Sequence, residues 1–129
     1  MRTYLVDGSN AVRRKDYDPR FPEVEEARTA DWLAKIDRLS APLGGIRVEV
    51  FFDGPRRDLG GSYPALSFRF SADRSADDLI LDAVRMLARA NRGAVVVTED
   101  SGLADETRQE DARSMGFAEF ELRLRSRRA

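Results

Sequence analysis

Apolar residues along this chain fall alternately into short runs and into longer stripes with helical spacing. Thr3 to Val6 and Ala94 to Thr98 are short apolar runs of the kind that form buried strands. Ile46 to Phe52 and Leu66 to Phe70 alternate in polarity, which indicates strands with one buried face. Glu23 to Ser40 carries apolar residues at loose helical spacing and is predicted to be a helix.

The second half of the chain continues the alternation of strands and helices. Its clearest apolar stripe predicts a helix that opens at Ser75 and stops near Asn91. We expect a further helix from about Leu103 to Met115 and a last strand near Phe117 to Leu124. This order of elements predicts an α/β fold, a three-layer α/β/α sandwich with a mainly parallel central sheet.

Two segments between these elements are polar and rich in turn-forming residues. Asp7 to Asn10 is predicted to make a tight turn, and Ala11 to Asp16 is expected to start a short helix. Arg56 to Pro64 is polar and contains two glycines, which favours a mobile surface loop. Both segments follow a predicted strand directly, so we expect them to lie close to the carboxyl edge of the sheet.

The length and composition are typical of one soluble globular domain. The 129 residues, of which 42% are hydrophobic and 35% charged, are most simply a single domain over 1–129. The longest apolar run, Ala94 to Val97, is too short to span a membrane, and the first residues do not resemble a signal peptide. We therefore predict a cytoplasmic protein with no membrane partner, and a homo-oligomer is compatible with the sequence.

The absence of cysteine and histidine removes several kinds of chemistry. Without them the chain has no thiol nucleophile, no disulfide, no zinc finger and no Ser-His-Asp triad. No glycine-rich dinucleotide fingerprint or Walker motif is present either. Carboxylate chemistry remains as the main candidate.

Acidic residues follow the ends of three predicted strands and the start of one predicted helix. Asp7, Asp53 and Asp100 follow strands, Asp77 lies in the first turn of a helix, and Glu99 is expected to be solvated. The carboxyl ends of parallel strands meet at one edge of a sheet, so these acids should converge. Converging carboxylates repel one another unless a cation neutralises them, and Mg²⁺ or Mn²⁺ prefers such oxygen ligands.

Each acidic motif also has a purely structural explanation. Asp7 and Asn10 can cap the following helix, Asp53 can serve a turn, and Asp100 can be an N-cap. Ser75 and Asp78 form an acidic version of the capping box, which accounts for Asp78 without any function. The functional interpretation depends on the recurrence of such motifs at places that one fold brings together.

These motifs resemble a known family in their order and spacing. Leu5 to Asn10, Phe52 to Gly54, Ser75 to Asp78 and Val96 to Asp100 resemble the NYN domains of the PIN-like nuclease superfamily, particularly the YacP-like branch. The resemblance spans residues 3 to about 105. It implies a PIN-like fold, one or two Mg²⁺ or Mn²⁺ ions, and endonucleolytic cutting of RNA.

The resemblance also implies roles for individual residues. The leading aspartate and asparagine of the family fall on Asp7 and Asn10, and its later acids fall on Asp53, Asp77 and Asp100. In this interpretation Asp7, Asp77 and Asp100 hold the ion, Asp53 binds it directly or through water, and Asn10 orients that water.

Four arginines are candidates to hold the phosphates of the RNA, which could be an mRNA, a tRNA or a ribosome-associated RNA. They are Arg13, Arg14, Arg56 and Arg57. The alternative for any one of them is a solvated surface residue in an arginine-rich chain.

Two other classes of function were compared with the nuclease. A receiver domain needs a lysine at a late strand end, and the sequence has no lysine after Lys35. A catalytically weakened PIN-like domain that binds RNA or a protein stays possible, since Ser101-Gly102 after Asp100 departs from the family pattern. Affinity for Mg²⁺ or Mn²⁺ would separate this binding module from the enzyme.

Overall fold

The computed structural model describes residues 2–13 and 18–127, which form a five-stranded parallel sheet with helices on both faces. The strand order is β3-β2-β1-β4-β5. This confirms the predicted α/β sandwich with a mainly parallel sheet. The elements, in chain order, are β1 (Arg2–Asp7), α1 (Gly8–Val12), α2 (Pro22–Ser40), β2 (Ile46–Phe52), β3 (Leu66–Phe70), α3 (Ala76–Arg89), β4 (Ala94–Val97), α4 (Ser101–Gln109), β5 (Arg113–Met115) and α5 (Phe117–Ser126).

Alternate residues of the strands enter two separate hydrophobic cores. Tyr4 and Val6 of β1 pack in the core that α2 and α5 cover, whereas Leu5 packs with α3 and α4 in the other. A parallel sheet buried on both faces needs such nearly continuous apolar strands. Helices cover both cores, and within the described ranges none is both long and apolar enough to cross a membrane.

The topology places β1 between β2 and β4, at the point where the chain changes direction across the sheet. The residue after β1, Gly8, packs so closely on β2 that a Cβ atom there would lie 2.7 Å from the Phe52 ring. Glycine therefore lets the chain turn sharply behind Asp7 and start α1 against the neighbouring strand. The predicted helical segment Ala11 to Asp16 is described only in part, because residues 14–17 lie outside the described ranges.

The predictions for the last third of the chain were wrong in two places. The helix expected from Leu103 to Met115 ends at Gln109, and Asp111, with a φ of 60°, turns the chain into the short strand β5. The strand expected near Phe117 to Leu124 is the helix α5. Phe120 and Leu124, four residues apart, are fully buried, whereas Leu122 is 66% exposed, so the segment has helical rather than alternating burial.

Candidate active site

The carboxyl ends of β1, β2 and β4 meet the start of α3 at a cleft of about 310 Å³. All of the residues that the sequence analysis assigned to catalysis line it, so the topology brings them together. Their catalytic roles stay a prediction. The lining residues are Asp7, Ser9, Asn10, Arg13, Asp53, Ser75, Asp77 and Asp100.

Asp7 is the most buried acid of the cleft, with 4% of its surface exposed. Its Oδ1 accepts a hydrogen bond from the backbone N–H of Asn10 at 3.3 Å, and its Oδ2 accepts one from Thr98 Oγ1 at 3.0 Å. The pKa of Asp7 is raised to about 6, mainly by burial and in part by the nearby charges of Asp77 and Asp53, against the lowering effect of these hydrogen bonds. A cation in the cleft would therefore stabilise the charged form of Asp7 strongly.

Thr98 connects the end of β4 to the end of β1. Its hydroxyl donates to Asp7 and accepts a hydrogen bond from the backbone N–H of Asp100 at 3.0 Å. Asn10 completes the connection, because its Oδ1 accepts from the backbone N–H of Glu99 at 2.8 Å and lies 3.3 Å from Thr98 Oγ1. Thr98 is not among the predicted site residues, although a hydroxyl at the end of an apolar strand and before two acids is a sequence signal for such a role.

Asp53 and Asp100 each use one carboxylate oxygen to cap a helix. Asp53 Oδ1 accepts from the backbone N–H of Ala76 at 2.7 Å, at the start of α3, and Asp100 Oδ1 accepts from that of Leu103 at 3.1 Å, in α4. The structural explanation of Asp100 as an N-cap is thus correct. Within the described ranges neither Oδ2 atom receives a protein hydrogen bond, which leaves one oxygen of each acid for another partner.

The adjacent acids at the start of α3 lie in different environments. Asp77 is half-buried and lines the cleft, and burial raises its pKa, followed by the charges of Asp100 and Asp53. Asp78 is exposed and lies outside the cleft lining, and its backbone N–H donates to Ser75 Oγ at 3.1 Å. The two positions match the sequence prediction, and the division of roles between them stays a prediction.

The donor atoms of the cleft are all oxygens, which suits a hard divalent cation. Among residues 2–13 and 18–127, however, no three acidic side chains lie close enough together to hold one ion. Mg²⁺ is commonly held by one or two carboxylates, with waters and substrate phosphates as its other ligands, so the residues present fit such an ion.

Two of the four candidate arginines line the cleft or the larger pocket of about 600 Å³ beside it. Arg13 lines both and forms an ion pair with Glu25 at 3.3 Å. Arg57 lines only the larger pocket, and Arg56 is exposed and lines neither. Arg14 lies outside the described residues.

Arg57 is bound to its own loop. Its guanidinium lies 5.4 Å from the ring centres of both Phe52 and Phe70. Its Nη1 also donates to the backbone carbonyls of Asp53 at 3.0 Å and Pro55 at 3.1 Å. These contacts hold the chain that leaves β2, and thereby the backbone of Asp53.

Glu99 is not simply solvated, contrary to expectation. Its Oε1 accepts a hydrogen bond from the backbone N–H of Phe117 at 2.9 Å, at the first residue of α5. Its own backbone N–H donates to Asn10. Glu99 therefore connects the site to the helix whose position the sequence did not predict.

The fold resembles that of solved structures of one protein. Crystal structures of Rae1 (YacP) from Bacillus subtilis and of a point variant of it are each 19% identical to this chain. The variant aligns with a TM-score of 0.70 over 99% of this chain and 77% of its own, and the other with 0.73 over 99% and 76%. No protein-family model and no curated protein matches the sequence. The predicted likeness to the YacP-like branch is thus confirmed at the level of the fold.

Proposed function

We propose that this protein is a divalent-metal-dependent endoribonuclease that hydrolyses phosphodiester bonds of RNA. The observation that carries the proposal is the cleft that Asp7, Asp53, Asp77, Asp100 and Asn10 share at the carboxyl edge of the sheet. The chain has no histidine or cysteine that could provide a different hydrolytic centre. The likeness of its motifs to NYN domains supports RNA as the substrate, and a cytoplasmic mRNA, tRNA or ribosome-associated RNA fits this role.

In this proposal Asp7, Asp77 and Asp100 would hold Mg²⁺ or Mn²⁺ together with Asp53, one or two of these acids binding the ion directly and the others through water. When bound, such an ion stabilises negative charge on a phosphate and makes water more acidic. Thr98 keeps Asp7 and Asp100 in a fixed relation through its two hydrogen bonds. Asn10 Oδ1 is held by the backbone N–H of Glu99, which leaves its amide NH₂ to orient water.

A second candidate function is a PIN-like module that binds RNA or a protein without cutting RNA. The observation that favours it is that no three described acidic side chains are close enough together to hold one ion. The affinity for Mn²⁺, measured by calorimetry, separates the two candidates. If the wild-type protein binds Mn²⁺ and Asp77→Asn weakens that binding, the result supports the enzyme. If the wild-type protein does not bind Mn²⁺, the result supports the binding module.

The chain offers a matched pair of substitutions for the cleavage assay. Asp77→Asn and Asp78→Asn remove the same charge from adjacent residues, but only Asp77 lines the cleft. We expect Mn²⁺-dependent cleavage of a fluorescent RNA to fall at least about 100-fold in Asp77→Asn, and to stay within about twofold of wild type in Asp78→Asn. Equal losses in both variants would contradict the proposed site, and a wild-type protein without activity would contradict the proposed function.

A further inference from the structure

The candidate active site cannot by itself hold a polyanion well. Its lining contains four carboxylates and one arginine, Arg13, which is paired with Glu25. The nearby Arg57 is bound to aromatic rings and carbonyl groups of its own loop. Affinity for RNA depends largely on arginine and lysine contacts to phosphates, so other parts of the surface have to supply them.

A cluster of arginines begins at the amino ends of the strands and continues along the sheet beside α3. Arg47 of β2, Arg69 of β3 and Arg92 before β4 line a groove of about 630 Å³ beside α3. Arg2 of β1 and Arg113 of β5 line an adjoining pocket of about 280 Å³, and Gly93 lines both. We call these two pockets together the basic groove; its charged residues are Arg2, Arg47, Glu49, Arg69, Arg92 and Arg113.

One buried carboxylate fixes two of these arginines. Glu49 is 9% exposed, and its Oε2 lies 3.4 Å from Arg47 Nη2, while its Oε1 lies 3.7 Å from Arg69 Nη1. The guanidinium of Arg69 also lies 5.5 Å from the centre of the Phe51 ring. Two half-exposed guanidinium groups are therefore held in place beside the groove, and a single acid offsets only one of their charges.

The remaining arginines add charge that no acid of the groove offsets. Among the described residues, the side chains of Arg2, Arg92 and Arg113 form no ion pair, and Glu49 is the only acid that lines either pocket. The other wall consists of Ala83, Met86 and Leu87. Met86 is 65% exposed. A positively charged groove that follows the backbone is one part of surfaces that bind single-stranded nucleic acids, and here Met86 and Leu87 line it in place of aromatic side chains.

We propose that the basic groove binds the backbone of the RNA at a distance from the cleavage cleft. The choice of RNA as the ligand of the groove rests on the proposed function. β1 runs from Arg2 in the groove to Asp7 in the cleft, so the Arg2 end of the groove is roughly 17 Å from the cleft along the strand. Arg69 is level with Phe51 and Asp7 in the sheet register, two strands from β1, and marks the end of the groove nearer to the cleft. The far end of the groove keeps bound phosphates away from the repelling carboxylates. An RNA long enough to reach both sites is held by the groove while one of its phosphates lies at the cleft.

RNA fits the groove better than an acidic protein segment does. All of its cations are arginines, whose planar guanidinium groups bind phosphate in a bidentate manner and stack on bases. An acidic peptide would use the charges but not the stacking capacity. An acidic protein partner is therefore the competing outcome of the test.

The test measures the affinity for a long oligouridylate across a salt series, in EDTA so that no cleavage occurs. The variant Arg92→Ser with Arg113→Ser removes two exposed charges from the groove. Each lost phosphate contact should reduce the slope of log affinity against log salt by about 0.7, hence by about 1.4 for both. With Mn²⁺, cleavage of a dinucleotide, whose single phosphate has to lie at the cleft and so cannot contact Arg92 or Arg113, should stay at the wild-type rate.

The control is the double variant Arg85→Ser with Arg108→Ser. It removes the same charge, but from arginines that are paired with carboxylates: Arg85 with Asp82 and Glu110, and Arg108 with Asp105. A salt slope equal in both double variants would overturn the proposal. The proposal would also be overturned if the wild-type protein bound polyglutamate as tightly as RNA and the groove variant lost that binding. A flattened slope in a protein that cleaves no RNA would support the groove and contradict the proposed function instead.

Discussion

Two buried carboxylates on the same face of the sheet lie in opposite surroundings. Asp7 ends β1, and its hydrogen bonds come from an uncharged amide and a hydroxyl. Glu49 lies on the neighbouring strand β2, beside Leu5, and has two guanidinium groups within 4 Å. Asp7 has its pKa raised to about 6, with other carboxylates as its charged neighbours. Asp7 thus lies among other acids, whereas two guanidinium groups surround Glu49, the one acid that lines the basic groove among the described residues.

The difference shows which of the two carboxylates is arranged for stability and which for a bound cation. Where a buried acid is paired with cations, removal of one partner leaves the other uncompensated and destabilises the fold. A buried acid among other acids opposes folding at neutral pH and is relieved by a bound cation. Acid-to-amide substitutions at the two positions should therefore have opposite effects on stability.

The largest expected effect concerns cleavage. Asp7→Asn and Asp100→Asn should each lower Mn²⁺-dependent RNA cleavage by roughly 1000-fold, about 4 kcal/mol, because each removes a charge that holds the ion beside the phosphate. Circular dichroism spectra and melting curves would verify that both variants remain folded. Either variant with wild-type activity would remove that acid from the proposed site.

The next effect is on stability and depends on pH. Asp7 has a pKa of about 6 in the folded protein against 3.8 as its ordinary value, so the folded state binds more protons between these values. The contribution of Asp7 to the free energy of unfolding is therefore largest below about pH 4. It falls by up to about 3 kcal/mol as the pH rises through 6. The substitution Asp7→Asn removes this loss of stability, because the new side chain carries no charge. Its amide NH₂ can donate a hydrogen bond to Thr98 Oγ1, while the Thr98 hydroxyl donates to Asn10 Oδ1.

Urea unfolding in EDTA across a pH series would measure this difference. The free energy of unfolding of Asp7→Asn should exceed that of wild type at pH 7, and the gap should close toward pH 4. Added Mn²⁺ should stabilise the wild-type protein and not the variant. A variant that is less stable than wild type at pH 7 would refute the idea that Asp7 opposes folding.

A smaller effect of opposite sign is expected at Glu49. Glu49→Gln leaves Arg47 and Arg69 without their shared acid, but their side chains are 56% and 44% exposed and can turn to water. The loss should therefore be about 1 kcal/mol rather than the several expected for a fully buried pair. The same urea series would measure it. If the variant were more stable than wild type, the proposed contrast between Asp7 and Glu49 would be wrong.

The sequence predicted the elements whose burial pattern is local. β1, β2, β3 and β4 follow from apolar runs or alternation, and a parallel sheet then brings their terminal acids to one edge. α5 was missed because Phe117 to Leu124 fits two periods over a short length, and the choice depends on a distant partner. Phe120 packs against Tyr4 of β1, with ring centres 5.1 Å apart.

The convergence of the acids was predictable, but the bonds between them were not. Asp53 caps α3 through Ala76, and Thr98 binds Asp7 across 91 positions of the chain. Glu99 caps α5 in the same way, through a residue that only the fold brings near. Contacts of this kind leave no periodic signal, since they depend on loop conformations and not on the spacing of apolar residues.

The smallest expected effect applies the same comparison to two adjacent cations. Arg57→Ala and Arg56→Ala remove the same charge, but Arg57 has aromatic and carbonyl partners and Arg56 forms none of these contacts within the described ranges. Arg57→Ala should lower the free energy of unfolding by about 0.5–1 kcal/mol, which is typical of an exposed cation–π contact. Arg56→Ala should leave it unchanged. If Arg56 holds a phosphate, its variant alone should flatten the salt dependence of RNA binding, by about 0.7 in slope. Equal stability losses would show that the ring contacts of Arg57 contribute nothing, and Asp53 would then need another support for its position at the cleft.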